Sequence, residues 1–393
     1  MANTLKFGKG TWATKTGSSM AYNDQNGNYK PLPFNVERDS IATRVNKQGL
    51  IEVVGKDKLR IDYKDSAKGV ALLEPSRTNN LLRSEEFDNA SWTKFSSGTG
   101  IAPVVTANYT TSPDGSNNAD RVVFDKGSGT SGSDFSQMRQ IVSDVGQGVS
   151  SVYIKSNTSD SYTMGIDPVG NATLITITPE WQRFTYSETT NDRLTIGLRA
   201  SQTSNYADVS IWGAQMEAGS YATSIINTKG SAVTRLADAC SGAGNEQVIN
   251  STEGVLYYEA KVKTDDIFAA NCIAVSDGTD TNRLSIIMYG NINSIRASMN
   301  VGGVSQFDFN LPSGYIQEQY YKIAVSYKVN DCKIFINGTK ISTDTSATMP
   351  SLATFDRLSF DLGQGSYDFY GNIKDVRVYN TALTDAELIA LTT

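Results

Sequence analysis

The sequence predicts an all-β protein with a small N-terminal anchoring region, two antiparallel β-sandwich (jelly-roll) domains and a short C-terminal helix. Short runs of alternating apolar and polar residues recur between turn clusters, which is typical of sandwiches and barrels. Tyr, Gly, Ser, Thr and Asn are abundant, and helical periodicity is confined to the last residues. At roughly 150 residues per domain, 393 residues indicate two or three domains.

Residues 1–80 form the predicted N-terminal region, for attachment and oligomerisation. Two strands are expected, Gly49–Val54 and Leu59–Tyr63, and the turn at residues 55–58 predicts that they pair as a hairpin. The region has too few apolar residues for a large core. We therefore expect it to dock on the next domain or on a neighbouring subunit.

Residues 81–228 are predicted to form the first sandwich. Seven strands are expected, a number typical of one jelly roll: Ala119–Phe124, Gly148–Lys155, Tyr162–Ile166, Leu174–Thr178, Gln182–Ser187, Leu194–Arg199 and Ala207–Met216. Residues 229–249 are small and polar, which indicates a linker.

Residues 250–393 are predicted to form the second sandwich. Its clearest signal is Asn337-Gly338 between two apolar runs, because a type I′ hairpin turn needs positive φ at both central residues. At the C-terminus, Thr384 and Glu387 have the spacing of a capping box, so a short helix is expected after Thr384.

The composition excludes several classes of function. The chain has no histidine, which excludes Ser-His-Asp and Cys-His catalysis and zinc sites that use imidazole. The net charge is −6 and the basic residues are scattered, which argues against nucleic acid as a partner. No apolar run reaches the ~18 residues of a membrane span. Three distant cysteines favour neither a disulfide framework nor a metal site.

Two parts of the chain resemble a module of bacteriophage tail-fibre, head-fibre and baseplate proteins. The first comprises residues 41–52, 59–63, 72–82 and 84–94. The second comprises residues 211–224, which begin Ile211-Trp212-Gly213-Ala214. The part between them is similar to carbohydrate-binding-module jelly rolls. The resemblance implies a virion protein, and it implies a homo-oligomer, a trimer in most such fibres.

The second sandwich resembles concanavalin A/laminin-G-like lectin domains. The resemblance lies in residues 333–338, in Gly371-Asn372-Ile373-Lys374-Asp375-Val376-Arg377-Val378-Tyr379 and in residues 381–388. It implies a lectin-like sandwich, and many members of this family bind calcium or glycans. The family's ligand residues have no one-to-one match here.

The candidate site residues are aromatic or acidic side chains near turns. No catalytic residue is assigned, because no Glu-x-Asp-x-x-Glu strand or other matched acid pair is present. Cofactors are not expected, although loop oxygens of Asp277, Asp280 and Asp265 could bind calcium. Sugars stack on exposed rings, and six aromatic residues are candidates for that contact: Trp92, Trp181, Tyr206, Tyr289, Tyr315 and Tyr367. For each of them, packing in the core is the alternative.

From these observations we expect a non-enzymatic structural subunit of a phage fibre or appendage that binds host-surface glycan. It would contact other virion proteins through its N-terminal region. Because Met1–Trp12 lacks an apolar signal segment, we expect assembly in the host cytoplasm and a place in the virion. A bacterial secreted or surface lectin-like adhesin and a glycan depolymerase remain the alternatives.

Overall fold

The computed structural model describes residues 34–167, 173–190, 192–263, 270–290, 294–311 and 314–393, and the backbone of four short strands between residues 5 and 31. The described part is all-β apart from short helical segments, which confirms the predicted fold class. Contacts group the chain into two compact units. Unit 1 comprises Met1–Gly49, Val54–Pro75 and Leu236–Thr393, and unit 2 comprises Leu50–Val53 and Ser76–Arg235. The predicted boundaries at residues 80, 228 and 249 stay predictions, because grouping by contacts does not show which segments fold independently.

The described strands are short and follow one another closely along the chain. In the first half they are β1 (Leu5–Phe7), β2 (Trp12–Ala13), β3 (Ala21–Asn23), β4 (Tyr29–Pro31), β5 (Asn35–Glu37), β6 (Ala42–Val45), β7 (Ile51–Val54), β8 (Arg60–Asp62), β9 (Val70–Leu73), β10 (Arg77–Asn79), β11 (Thr93–Ser97), β12 (Ile101–Thr110), β13 (Ala119–Asp125), β14 (Phe135–Ile141), β15 (Gly148–Ser156), β16 (Tyr162–Ile166), β17 (Thr173–Ile177), β18 (Gln182–Glu188), β19 (Arg193–Arg199) and β20 (Tyr206–Ala218). They continue as β21 (Val233–Arg235), β22 (Ala239–Ser241), β23 (Glu253–Val262), β24 (Ala270–Ser276), β25 (Arg283–Tyr289), β26 (Ser294–Val301), β27 (Val304–Leu311), β28 (Tyr321–Lys328), β29 (Cys332–Ile336), β30 (Thr339–Asp344), β31 (Arg357–Ser359) and β32 (Gly371–Tyr379). A 3₁₀ turn spans Ala200–Gln202, and helix α1 spans Asp385–Thr392.

Unit 2 consists mainly of two five-stranded antiparallel sheets. Their strand orders are β11-β14-β19-β16-β17 and β12-β13-β20-β15-β18. Alternation along each strand sends one set of side chains into a shared core and the other set outward. In β13, for example, Val122 and Phe124 are fully buried, whereas Arg121 is partly exposed. The sequence predicted seven of these ten strands and missed β11, β12 and β14.

The two phage-like sequence segments meet in unit 2. Asn79 is fully buried, and its side-chain nitrogen donates to the carbonyl oxygens of Ala214 (3.1 Å) and Ile226 (2.8 Å). Its side-chain oxygen accepts from the backbone N–H groups of Leu81 (3.1 Å) and Met216 (3.0 Å). One side chain thus satisfies four backbone groups. All four partners of Asn79 belong to unit 2.

Unit 1 contains the C-terminal sandwich. One sheet has the order β30-β29-β28-β23-β32-β9-β8, with β1 also paired to β32, and the facing sheet has the order β27-β26-β25-β24-β31. Leu59, Ile61 and Leu73 from the N-terminal part are buried in the same core as Ile373 and Val376. The apolar residues of segment 54–75 therefore complete the core of the C-terminal sandwich.

The predicted hairpin between Gly49–Val54 and Leu59–Tyr63 is wrong in its pairing. Strand β8 pairs instead with β9, with Ile61 opposite Ala71. The intervening turn has another use, because the guanidinium of Arg38 donates to the carbonyl oxygens of Gly55 (2.6 Å) and Lys58 (3.0 Å). The carbonyl groups of this turn accept hydrogen bonds from the buried guanidinium of Arg38. The strand that follows the turn, β8, pairs with β9.

That cation belongs to a buried ion cluster of Arg38, Arg60, Glu74 and Asp238. One Asp238 oxygen accepts from Arg38 (2.7 Å), and the other accepts from Arg60 and from the backbone N–H of Glu74 (2.8 Å). Arg60 also donates to the Glu74 carboxylate at 2.6 Å. The side chains of Arg38, Arg60 and Asp238 have no exposed area. Buried charges of this kind are tolerated only when they are paired and hydrogen-bonded.

The turn and capping predictions in the C-terminal part are confirmed. Asn337 and Gly338 join β29 to β30 with φ values of 46° and 79°. Thr384 and Glu387 form a capping box at the start of α1. With eight residues, α1 is far shorter than the ~20 residues that a membrane-spanning helix needs, and the described part of the chain contains no helix that could do so. The three cysteines are buried and unpaired.

Candidate functional site

Two of the six candidate aromatic residues lie in the cores. Trp92 is 1% exposed, its indole N–H donates to the Arg83 carbonyl at 2.9 Å, and its ring lies 4.9 Å from that of Phe87. Tyr315 is 4% exposed and its ring lies 5.3 Å from that of Tyr321. Neither ring has a face open to a ligand. Both residues stand beside polar loops in the sequence, and this position favours an exposed ring, but the fold buries both of them.

Trp181 and Tyr206 lie on the outward face of one sheet in unit 2. Tyr206 opens β20 and is 45% exposed. Trp181 is partly exposed just before β18, and the ammonium of Lys155 lies 5.4 Å from its ring centroid. Lys155 and Tyr206 belong to the neighbouring strands β15 and β20. Two rings that are 25 positions apart in the sequence therefore lie on the same face of the sheet.

Tyr289 and Tyr367 lie on unit 1. Tyr289 ends β25 and packs partly against Cys272, Ile287 and Leu362 on the outward face of the sheet that contains β24 and β25. Leu362 and Tyr367 both belong to segment 361–370, which connects β31 to β32. We name this segment together with Tyr289 the tyrosine site.

Tyr367 is the most exposed ring of the tyrosine site, at 57%. Its φ of 59° lies in the left-handed region, which non-glycine residues rarely adopt. Three hydrogen bonds fix the chain on both sides: Leu362 N–H to Ser366 O (2.8 Å), Phe369 N–H to Phe360 O (2.9 Å) and Tyr370 N–H to Asn271 Oδ1 (2.9 Å). A strained backbone that is held in place and presents an aromatic ring to solvent is a feature of binding sites.

Two carboxyl groups, those of Asp361 and Asp368, belong to the same segment as Tyr367. Burial raises the pKa of Asp361, although the backbone N–H groups of Gly363 and Gly365 donate to it. Burial, followed by the nearby charge of Asp361, raises the pKa of Asp368. Asp361 is 4% exposed, whereas Asp368 follows Tyr367 directly and is partly exposed, so its carboxylate can accept from the hydroxyl groups of a sugar. The sequence analysis missed both residues. The Gly363-Gln364-Gly365 turn before Tyr367 was the available signal.

The calcium candidates do not form a cluster. The Asp277 side chain accepts from Thr279 N–H (2.9 Å) and from the Asn282 amide (2.8 Å) inside its own turn. Asp280 is exposed in that turn, and Asp265 lies outside the described residues. Across the part of the chain that the structure describes, no group of three or more Cys, Asp or Glu residues is arranged to hold a metal ion. Calcium binding stays a prediction.

Glu85 in unit 2 has an unusually high pKa. Burial, then the charges of Asp114 and Glu86, raise its pKa from 4.5 to about 7. Because the pKa of Glu85 is higher in the folded state than in the unfolded state, the folded protein keeps the Glu85 proton up to a higher pH. The contribution of Glu85 to stability is therefore greatest below about pH 4.5 and falls as the pH rises to about 7.

We expect Glu85→Gln to remove this loss and to stabilise the protein at pH 8 by roughly 1–3 kcal/mol, with no gain at pH 4. Urea unfolding at both pH values measures the difference. Glu180→Gln, at an exposed position, is the matched control and should show no such pH dependence. An equal effect of Glu85→Gln at both pH values would contradict the expectation.

Comparison with known proteins gives one family match. Residues 255–389 match the laminin-G-type family described as the concanavalin A-like lectin/glucanases superfamily. The resemblance inferred for the C-terminal sandwich is therefore confirmed over most of its length. No curated protein matches the chain.

Similar solved structures are distant. The CBM40 module of a Ruminococcus gnavus IT-sialidase bound to α2,3-sialyllactose is 19% identical, with 39% of this chain and 94% of that chain covered and a TM-score of 0.32. Domain 4 of AbnA, a GH43 extracellular arabinanase from Geobacillus stearothermophilus in complex with arabinotriose, is 15% identical (44% and 82% covered, TM-score 0.32). A SAP-like pentraxin from Limulus polyphemus is 9% identical (39% and 74% covered, TM-score 0.30). Likenesses this low carry no statement about ligand or activity.

Proposed function

We propose that this chain is a structural subunit of a bacteriophage fibre or appendage, and that its lectin-like sandwich attaches to glycans on the host surface. The observation that carries the glycan part is Tyr367. It is an exposed ring in a strained, fixed turn of the sandwich that matches the lectin family. Asp368, the next residue along the chain, is partly exposed and supplies an oxygen acceptor for sugar hydroxyls.

The virion part of the proposal is supported by the phage-like segments. Asn79 of the first segment is hydrogen-bonded to Ala214 and Met216 of the second segment, so these parts of the two segments belong to one structural unit. On this proposal the N-terminal region contacts other virion proteins, the subunit forms a homotrimer, and the protein resides in the virion. Immunogold labelling of purified particles with an antibody to this chain tests it. Absence of label from the particle would favour a bacterial surface or secreted adhesin instead.

Tyr367→Ala is expected to weaken glycan binding about tenfold, because a stacked ring contributes on the order of 1 kcal/mol. The full chain is applied to an array of bacterial-surface glycans, and the best ligand is then titrated by calorimetry. Tyr367→Phe keeps the ring and should bind like the unaltered protein. Equal binding by Tyr367→Ala and the unaltered protein would contradict the assignment of this site.

Glycan depolymerisation is the remaining alternative, and the two neighbouring carboxyl groups of raised pKa are the observation that favours it. Incubation of the full chain with capsular polysaccharide, followed by size analysis, distinguishes the two functions. Cleavage that Asp361→Asn or Asp368→Asn abolishes would replace adhesion with catalysis.

A further inference from the structure

The outward face of the β12-β13-β20-β15-β18 sheet carries a set of polar and aromatic side chains apart from the tyrosine site. We name it the cationic face and define it by Tyr109, Arg121, Lys155, Trp181, Tyr206 and Asp208. Arg121 and Lys155 both lie opposite Ser210, one from each neighbouring strand, so the three side chains form a row across the sheet. The inward residues of the same strands, such as Val122 and Ile211, are in the core.

The centre of the cationic face is fixed by hydrogen bonds. The Nε and Nη2 groups of Arg121 both donate to the Asp208 carboxylate, with a distance of 2.8 Å for Nε. Asn157 donates to the same carboxylate at 2.8 Å and accepts from the Ser210 hydroxyl at 2.7 Å. The Arg121 contact lowers the pKa of Asp208, so the pair stays ionised. The negative charge of Asp208 is thus neutralised by Arg121 within the face.

Lys155 keeps its positive charge uncompensated. Its ammonium lies over the Trp181 ring, and that ring is held by an indole hydrogen bond to the Thr111 carbonyl at 3.2 Å. Among the ion pairs of the described residues, none includes Lys155, whereas Lys261, Lys333 and Lys374 each meet a carboxylate. A lysine supported only by an aromatic ring, in a chain of net charge −6, is suited to an anionic ligand.

Two exposed rings lie toward opposite ends of the strands, since Tyr206 lies opposite Asp125 whereas Tyr109 precedes Thr110, which lies opposite Ala119. Tyr206 is 45% exposed and Tyr109 is 49% exposed, with Tyr109 lying under the Arg121 guanidinium at 5.3 Å. Tyr206 is four residues from Ser210 along β20, or roughly 13 Å at 3.4 Å per residue. The Lys155 ammonium, the partly exposed Asn157 amide and the Tyr206 ring therefore follow one another along this face.

We propose that the cationic face binds a short acidic oligosaccharide, with a sugar carboxylate at Lys155 and a sugar ring stacked on Tyr206. Asn157 lies between these two contacts, opposite Asp208, and is partly exposed, so the second N–H of its amide can bind a sugar hydroxyl. The charge of Lys155 selects an acidic over a neutral sugar. This site goes beyond the proposed function, because it lies on unit 2 and needs no residue of the tyrosine site.

The test is calorimetric titration of the full chain with oligosaccharides that contain uronic or sialic acid, and with the same compounds as neutral methyl esters. The acidic forms should bind at least about tenfold more tightly, and more weakly as salt is raised. Lys155→Gln should lower the affinity about fivefold to tenfold, and Tyr206→Ala about tenfold, with unchanged thermal unfolding. Lys229→Gln, at an exposed lysine of the same unit outside the face, should have no effect.

Several results would overturn the assignment. These are equal binding of acids and esters, affinity unchanged by Lys155→Gln and Tyr206→Ala, absence of binding, or equal binding of an oligonucleotide, which would indicate non-specific attraction of polyanions. Tyr367→Ala separates the two sites. If it alone abolishes binding, the cationic face is wrong and the proposed function stands. If only the Lys155 and Tyr206 variants lose binding, the cationic face is supported and the glycan site at Tyr367 is wrong.

Discussion

Replacement of Asp238 by Ala is expected to destabilise the protein by about 3–5 kcal/mol, because it leaves two buried guanidinium groups without their shared carboxylate. Arg38 and Arg60 both donate to Asp238, and the Glu74 N–H loses its acceptor as well. Solvent water does not reach these charges, since the side chains of Arg38 and Arg60 have no exposed area. Urea unfolding followed by far-ultraviolet circular dichroism measures the loss.

An exposed ion pair in the same unit provides the control. Lys56 and Asp39 form a salt bridge of 2.5 Å at the surface, with most of both side chains in solvent. Asp39→Asn should leave the unfolding midpoint unchanged, because exposed pairs contribute little. A loss of less than 1 kcal/mol for Asp238→Ala would mean that the cluster's burial cost cancels its attraction and that solvent reaches the freed charges.

Asn79→Ala is expected to have the second large effect, a loss of about 3 kcal/mol or more. Its amide serves two carbonyl groups and two N–H groups of the backbone, and each becomes an unpaired buried group. Tryptophan fluorescence follows this unfolding, because Trp92 and Trp212 are fully buried in the same unit.

Asn117→Ala is the matched control for that prediction. Its exposed amide makes one hydrogen bond, to the Asn108 carbonyl at 2.9 Å, so its loss should stay within about 0.5 kcal/mol. Equal stability of the Asn79 and Asn117 variants would show that water replaces the Asn79 contacts and that unit 2 is open around β10.

The sequence predicted the strands whose alternation is regular. In β15, Val152 and Ile154 face the core and Tyr153 and Lys155 face outward, so the period of two is visible without a structure. The strand β12 escaped prediction because most of its residues are exposed and Asn108 has a positive φ of 53°, which breaks the alternation. The sequence of β14, Phe-Ser-Gln-Met-Arg-Gln-Ile, is largely polar, yet Gln137 and Gln140 are buried.

The candidate aromatic residues differ in exposure, which the sequence did not distinguish. Aromatic composition indicated surfaces for sugars, but Trp92 and Tyr315 fill cores while Tyr206 and Tyr367 are exposed. The difference depends on which loop and strand cover each ring. Neighbouring residues in the sequence do not carry that information.

The sequence by itself determined the all-β class, the Asn337-Gly338 turn, the capping box of α1 and the lectin-like character of the C-terminal sandwich, because each follows from local periodicity or from short motifs. Only the tertiary structure decided that β8 pairs with β9, that Asp238 joins Arg38 and Arg60, and that Lys155 and Tyr206 share a face. These contacts join residues from about ten to two hundred positions apart. They are set by strand register and by the need to pair every buried charge, which no local pattern encodes.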